Sequence, residues 1–192
     1  MKNQIIDEIN KSIEVKNIVL NDSKIISKIE LIVEKSIESL NNGGKIIFCG
    51  NGGSFGDSQH LAAELISRLR FDRSPLASLA LGTNSSNMSA IGNDYGYEKV
   101  FTRELLALGN SKDIFIPIST SGNSKNILDV INAARSLEIQ TYGLTGGNGG
   151  KMINLCDCLV VPSDITEKIQ EVHIMIGHIY CGLIESIIFN KK

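Results

Sequence analysis

The sequence lacks an excess of charge of either sign, and this absence bears on its possible partners. Lysine and arginine number 19 against 21 aspartates and glutamates, for a formal net charge of −2. The basic residues are scattered along the chain, whereas a general nucleic-acid binder carries a basic stripe. We therefore expect no nucleic-acid partner.

Long apolar runs are also missing. No stretch of about eighteen residues, the length needed to cross a bilayer, is free of charge and histidine, so we expect no membrane span and no membrane partner. Residues 1–4 lead into a mixed-charge segment instead of the apolar core of a secretory signal, so we expect no signal peptide.

The four cysteines lack the spacing of a disulfide framework. Reduced thiols predict a cytoplasmic protein. Cys156 and Cys158 lie in an apolar, strand-like run that directs both thiols to one face. Buried small apolar residues are the favoured interpretation of this pair, with a metal or redox pair as the alternative.

Internal repeats and low-complexity linkers are absent as well, so 192 residues predict one α/β domain spanning 1–192. Residues 3–20 and 24–41 have the apolar spacing of amphipathic helices. From residue 45 short apolar runs alternate with helical patterns. The predicted strands are 45–49, 76–81, 113–118, 140–144 and 158–161, and the helices after them are 54–70, 84–91, 97–108, 124–137 and 166–189, with a loop at 92–96.

This alternation predicts a five-stranded parallel sheet flanked by helices on both faces, a flavodoxin-like arrangement. The N-terminal extension, residues 1–42, holds two helices that cannot both be crossovers between strands. They must cover the sheet or pack against another subunit.

The stretch Gly50–Glu64 has the pattern strand, glycine turn, helix. Ser54 occupies an expected N-cap position with Asp57 three residues later, as in a capping box. Free N–H groups and the helix dipole then form an anion site, although the turn matches neither the dinucleotide-binding nor the P-loop pattern. His60 and Glu64 share a helix face, which predicts a proton-handling or metal-binding pair.

A second loop, Ser119–Ser124, is rich in hydroxyl groups and opens a helix. Such a loop is more often a helix cap than a ligand site, but two anion-type loops at one sheet edge favour phosphate. On the last helix, Gln170 and His178 fall on one broad face, while His173 points away from His178. A single helical histidine is usually structural or on the surface.

Together these motifs resemble the phosphoheptose isomerases (sedoheptulose 7-phosphate isomerases), which are sugar isomerase (SIS) domain proteins. The serine loop alone would indicate only the broad SIS class, whereas Glu64 and His178, with His60 and Gln170, point to the isomerases. The resemblance covers nearly the whole chain and rests on the motifs at 49–54, 59–64, 91–96, 118–124 and 169–173.

The resemblance implies an aldose-ketose isomerase that interconverts sedoheptulose 7-phosphate and D-glycero-D-manno-heptose 7-phosphate through an enediol. It also implies a cytoplasmic homotetramer in which the two helices of the N-terminal extension, residues 1–42, pack in the oligomer. Its product would supply heptose to cell-surface polysaccharide, with lipopolysaccharide and capsule both open. The implied substrate-binding residues are Asn51, Gly52, Gly53, Ser54, Asn93, Asp94, Ser119, Thr120, Ser121, Ser124 and Gln170. One Zn²⁺ per subunit is implied, held by His60, Glu64, Gln170 and His178.

For the chemistry, our hypothesis assigns Glu64 as the base at carbon and His178 as the acid/base partner near the sugar oxygens. Zinc would polarise the carbonyl, and Glu64 would serve as ligand, as base, or as both in turn. The main alternative is a non-catalytic SIS tetramer that binds a replication-initiation protein, in which positions matching Glu64 and His178 lack the acid and base. A regulatory sugar-phosphate-binding SIS domain is disfavoured by the single-domain length.

Overall fold

The computed structural model describes residues 1–190. Its helices are α1 (Lys2–Asn21), α2 (Ser23–Asn41), α3 (Gly53–Ile66), α4 (Ser85–Tyr95), α5 (Val100–Leu108), α6 (Lys125–Ser136) and α7 (Thr166–Ile188). Its strands are β1 (Ile46–Gly50), β2 (Ser78–Ala80), β3 (Ile114–Ser119), β4 (Gln140–Gly146) and β5 (Asp157–Val161), and short 3₁₀ turns occupy Tyr97–Lys99 and Met152–Asn154.

The five strands form one parallel sheet in the order β2-β1-β3-β4-β5, which confirms the predicted α/β architecture. β1 and β3 are buried along their whole length, as expected of central parallel strands covered on both faces. Since the chain leaves β1 for β2 on one side and returns to β3 on the other, the strand order reverses between β1 and β3.

Alternating side chains of the central strands point to opposite faces of the sheet and contribute to two hydrophobic cores. Phe48 packs with apolar residues of α2, α3 and α7, among them Ile176. Ile47 and Phe115 face the other way and pack with α5 and α6, among them Phe101. The helices that cover the first face therefore include α3, which holds His60 and Glu64, and α7, which holds His178.

The two N-terminal helices have different roles within one chain. Ile29, Ile32 and Val33 of α2 are buried against the sheet. On α1, by contrast, Ile5 is 55% exposed and Ile9 is 54% exposed. Helix α2 thus covers the sheet of its own chain, which is the first of the two alternatives, whereas α1 leaves an apolar stripe uncovered in the single chain.

Some predicted boundaries were wrong. Helix α3 ends at Ile66 and not at residue 70, because Arg73 folds back and donates hydrogen bonds to carbonyls at the end of the helix. Residues 92–95, predicted as a loop, continue α4, which ends only at Gly96 with φ +88°. Glycine is favoured there because this left-handed conformation strains other residues.

The predicted capping box at Ser54 and Asp57 was also wrong. Helix α3 begins one residue earlier, its N-cap is Gly52 with φ +55°, and no side chain caps it. Ser54 lies inside the first turn and is buried, so its hydroxyl cannot take the N-cap position.

Helix α7 is long and apolar enough to cross a membrane by length and composition alone. A core helix of a soluble protein passes the same test, and half of the apolar window of α7 is buried inside the protein. The buried carboxylate of Glu185 and the buried imidazole of His173 lie within this helix.

Candidate active site

The reversal of strand order places two loops side by side at the carboxyl edge of the sheet. Gly50, the last residue of β1, pairs in register with Ile118 of β3. The turn after β1 (Gly50–Ser54) therefore lies next to the loop after β3 (Ser119–Ser124). This crevice is where open parallel sheets bind ligands.

A reciprocal pair of amides ties the two loops together. Asn51 donates to Asn126 Oδ1 at 2.9 Å, and Asn126 donates to Asn51 Oδ1 at 2.8 Å. The hydroxyl of Tyr97 also donates to Asn51 Oδ1, at 3.1 Å. Asn126 is buried at the start of α6. Three hydrogen bonds thus fix the side chain of Asn51, which the sequence predicts to contact substrate.

The turn after β1 needs glycine because the backbone doubles back on itself. A Cβ at Gly50 would stand 2.4 Å from the carbonyl oxygen of Ser54, closer than any real contact. Phe55 and Gly56 donate their N–H groups to the carbonyl oxygen of Gly52, so the N–H groups of Gly53 and Ser54, at the start of α3, are the ones open to an anion. The anion site at this turn stays a prediction, with a different residue at the N-cap.

The serine loop leaves its hydroxyl groups largely uncommitted. Ser124 is the N-cap residue of α6, yet its side chain makes no cap hydrogen bond. Instead its Oγ lies 3.3 Å from Oγ of buried Ser119, while Ser121 Oγ accepts a bond from the N–H of Asn123 at 3.2 Å. The helix-cap alternative is thus not realised at Ser124, and the loop presents clustered hydroxyls.

Helices α3 and α7 bring three predicted residues into one cluster. His60 Nε2 lies 2.8 Å from His178 Nε2 and 3.2 Å from Glu64 Oε1. The two imidazole rings meet edge to face, with centroids 5.0 Å apart. Side-chain exposure is 46% for His60 and 17% for Glu64, so the cluster opens to solvent on one side.

Small residues on α7 allow the two helices to approach closely. A Cβ at Gly177 would stand 2.5 Å from Leu61 Cδ2. Leu61 of α3 therefore packs directly against Gly177 of α7, each of them next to one of the two histidines. The contact explains why two histidines separated by 118 positions in the sequence meet.

Gln170 lies further toward the start of both helices. Its Nε2 lies 2.6 Å from the position of a Cβ on Gly53, the first residue of α3. Eight residues separate Gln170 from His178, about 12 Å of helix rise. The structure thus places Gln170 beside Gly53 in the Gly50–Ser54 turn.

His173 points away from the cluster, again as predicted. It is buried, and its Nε2 lies 3.1 Å from the carbonyl oxygen of Thr145. Burial lowers the pKa of His173 to about 4, against a smaller opposing effect of the Thr145 carbonyl. The imidazole is therefore neutral at pH 7 and structural.

Asp57 is a site residue that the sequence analysis misassigned to a capping box. Burial raises the pKa of its carboxyl, and the nearby imidazoles of His60 and His178 oppose that rise. Its buried Oδ2 has no hydrogen-bond partner among residues 1–190. The i, i+3 spacing from Asp57 to His60 on one helix was the available signal.

Asn93 and Asp94 are exposed in the last turn of α4. Their side chains hydrogen-bond to each other at 2.8 Å. Within the described part of the chain, no hydrogen bond joins them to the other predicted site residues, so these two positions stay predictions from the resemblance.

The donor set of the cluster suits a divalent metal. The ligand atoms of His60, Glu64 and His178 all lie within 4.8 Å of one another. Two imidazole nitrogens with one carboxylate oxygen form a common protein ligand set for zinc. The residues therefore fit the ion that the resemblance implies.

Comparison with known proteins agrees with this geometry. A family model described as SIS domain matches residues 14–146. A phosphoheptose isomerase of Aneurinibacillus thermoaerophilus is 51% identical over 193 residues, covering 100% of this chain and 98% of the relative. These matches give no support to a non-catalytic tetramer that binds a replication-initiation protein.

Solved structures show the same likeness. A phosphoheptose isomerase from Francisella tularensis superposes with a TM-score of 0.91 at 35% identity, covering 96% of this chain and 97% of that one. A phosphoheptose isomerase from Neisseria gonorrhoeae gives a TM-score of 0.88 at 38% identity, covering 96% and 98%.

Proposed function

Because this chain belongs to the phosphoheptose isomerases of the SIS domain family, and so interconverts sedoheptulose 7-phosphate and D-glycero-D-manno-heptose 7-phosphate, we propose that it does so beside His60, Glu64 and His178. The observation that carries this proposal is the 2.8 Å approach of the two imidazoles next to the Glu64 carboxylate. The crevice between two anion-type loops lies at the same sheet edge.

The substrate phosphate would lie on the serine loop. Ser119, Thr120, Ser121 and Ser124 supply neutral hydroxyl donors, and the loop opens α6, whose dipole favours an anion. The sugar chain would then extend along the Gly50–Ser54 turn, where Asn51 is held in place by Asn126. Gln170, beside Gly53, faces the same turn.

Proton transfer is assigned to Glu64 and His178. Glu64 removes a proton from C1 of the open-chain ketose, which leaves an enediol, and returns a proton to C2 to give the aldose. His178 exchanges protons with the oxygens on C1 and C2. Glu64 is 17% exposed and the cluster opens to solvent on one side, so the carried proton can exchange with water before it reaches C2.

We infer that zinc is the resident metal. His60, Glu64 and His178 would hold it, with Gln170 as a fourth ligand by resemblance, and the bound ion supplies Lewis-acid polarisation of the sugar carbonyl. Elemental analysis of purified protein should find one zinc per subunit. The double variant His60→Ala, His178→Ala should lose the metal while keeping the wild-type circular dichroism, and retention of full metal would contradict the assignment.

Glu64→Gln tests the chemical role. The substitution keeps the shape of the side chain but removes the base, so kcat should fall by about 10² to 10⁴. Fold and KM should change little. Glu30→Gln, at an exposed position of α2, is the matched control and should keep wild-type kinetics. An unchanged kcat in Glu64→Gln would remove this residue from the mechanism.

We propose a cytoplasmic homotetramer that supplies heptose to cell-surface polysaccharide. The exposed apolar stripe of α1 supports association, because apolar patches of this kind mark interfaces. The open side of the His60 cluster leaves space that a neighbouring subunit would close. Heptose analysis of lipopolysaccharide and capsule fractions, with and without the active protein, would identify which polymer it supplies.

A further inference from the structure

Two thiols at the start of β5, one just before the strand and one within it, have no role in the isomerase reaction. Cys156 and Cys158 flank Asp157, and their Sγ atoms lie 3.7 Å apart. Both side chains are partly exposed, whereas Cys49 and Cys181 are buried. A disulfide needs an approach to about 2 Å, so a small movement would suffice for bonding.

The neighbouring strand leaves room for this pair. Gly143 of β4 lies opposite Cys158 in the sheet. A Cβ at Gly143 would stand 2.9 Å from Cys158 Sγ and 3.2 Å from Cys156 Sγ. Only glycine therefore lets both sulfur atoms settle against the backbone of β4.

The surroundings of the two thiols differ. The hydrogen bond shared with Cys156 lowers the pKa of the Cys158 thiol, whereas burial and the Asp157 carboxylate raise it and the Lys28 ammonium, which pairs with Asp157, lowers it. The same hydrogen bond, together with burial, raises the pKa of Cys156. Cys158 is thus the thiol disposed to react as the thiolate.

A short chain of contacts links the pair to the serine loop. The N–H of Cys156 donates to the carbonyl of Met152 at 3.2 Å, and the N–H of Met152 donates to the carbonyl of Gly122 at 3.0 Å. The N–H of Lys151 donates to Asn123 Oδ1 at 3.1 Å. A displacement of Cys156 would therefore shift the Ser119–Ser124 loop, which is the predicted phosphate-binding loop.

We propose that Cys156 and Cys158 form an intrachain disulfide when the protein meets a peroxide, and that this bond weakens binding of the sugar phosphate at the Ser119–Ser124 loop. The first part rests on the thiol geometry alone. The second part also rests on the proposed function, because it requires that this loop hold the substrate phosphate.

The peroxide is the only oxidant that this reaction requires. The Cys158 thiolate attacks one peroxide oxygen, so that an S–O bond forms, the O–O bond breaks and hydroxide leaves. Cys156 then attacks the sulfenic sulfur, the S–S bond forms, and the oxygen leaves as water with the Cys156 proton. Two thiols are oxidised and one peroxide is reduced to water.

Peptide mass spectrometry tests the first part. Trypsin releases residues 152–168 as one peptide that holds both Cys156 and Cys158 and neither other cysteine. After treatment of the full-length protein with hydrogen peroxide, this peptide should lose about 2 Da, and dithiothreitol should restore it. Oxidation to sulfinic acid at a single cysteine without this loss, or no change at all, would overturn the proposal.

Kinetics test the second part. The oxidised wild type should show a KM for sedoheptulose 7-phosphate raised about three- to tenfold with kcat nearly unchanged, and dithiothreitol should reverse the effect. Peroxide-treated Cys156→Ser and Cys158→Ser should keep the KM of the untreated protein. A disulfide with unaltered KM would overturn the link to the loop. Failure of the proposed function would appear separately, as a reduced protein whose KM does not respond to Ser121→Ala.

Discussion

The substitution Arg73→Met tests how α3 and α7 are held in register. The guanidinium of Arg73 is buried, with a side-chain exposure of 2%, and its Nε donates to Glu185 Oε1 of α7 at 3.0 Å. Its Nη atoms donate to the carbonyls of Glu64 and Leu65 at the end of α3, each at 2.7 Å. Arg73 therefore connects α3 and α7, the two helices that carry His60, Glu64 and His178.

The magnitude follows from the burial of Glu185. Its side chain has no exposed surface, so Arg73→Met leaves a buried carboxylate with only the N–H groups of Leu69 and Arg70 as donors. Removing one partner of a buried ion pair costs about 3 to 5 kcal/mol. For a chain of this size each kcal/mol lowers the melting temperature by about 2 to 4 °C, so we expect a loss of roughly 6 to 20 °C.

The assay is thermal and urea unfolding followed by circular dichroism, at one fixed protein concentration because an oligomer's stability depends on it. Arg68→Met, at an exposed position of the same segment, is the matched control and should stay within about 0.5 kcal/mol of wild type. A loss below about 1 kcal/mol in Arg73→Met would refute the argument that this pair fastens α3 to α7.

Three further predictions follow from the same structure. Asn126→Ala removes both side-chain hydrogen bonds to Asn51, so KM should rise about tenfold. An unaltered KM would show that substrate binding does not depend on holding the Asn51 side chain in place. His173 has its pKa lowered to about 4 by burial, so its contribution to stability is complete above about pH 6.5 and falls by up to about 3 kcal/mol as the pH drops to 4; urea titrations that show no such loss would contradict this. Ile9→Lys, on the exposed stripe of α1, should reduce the mass seen by light scattering from four times 20.9 kDa, while Asp7→Lys on the opposite side of the helix should not; a tetramer in both variants would place the interface elsewhere.

The sequence predicted the strands and helices well because central parallel strands are continuous apolar runs and the helices are amphipathic. The pairing of His60 with Glu64 was also predictable, since four positions on a helix determine a shared face. The contact with His178 was not, because it depends on the packing of Leu61 against Gly177, which no local pattern records. Resemblance to known relatives supplied that residue.

Other features escaped prediction for physical reasons. The end of α3 is set by Arg73 and Glu185, which lie 112 positions apart and are brought together by tertiary folding. Ser54 resembled an N-cap by composition, yet the N-cap is Gly52, two positions earlier, with a positive φ.

Isomerisation in deuterium oxide tests whether Glu64 transfers the proton between C1 and C2. If Glu64 carries a proton from C1 to C2 through an enediol, the aldoheptose phosphate formed from sedoheptulose 7-phosphate should contain solvent deuterium at C2, as read by NMR. Glu64→Gln should form neither the aldose nor deuterium-exchanged ketose at a measurable rate. Wild-type product without deuterium, or exchange in Glu64→Gln at the wild-type rate, would contradict proton transfer by this residue.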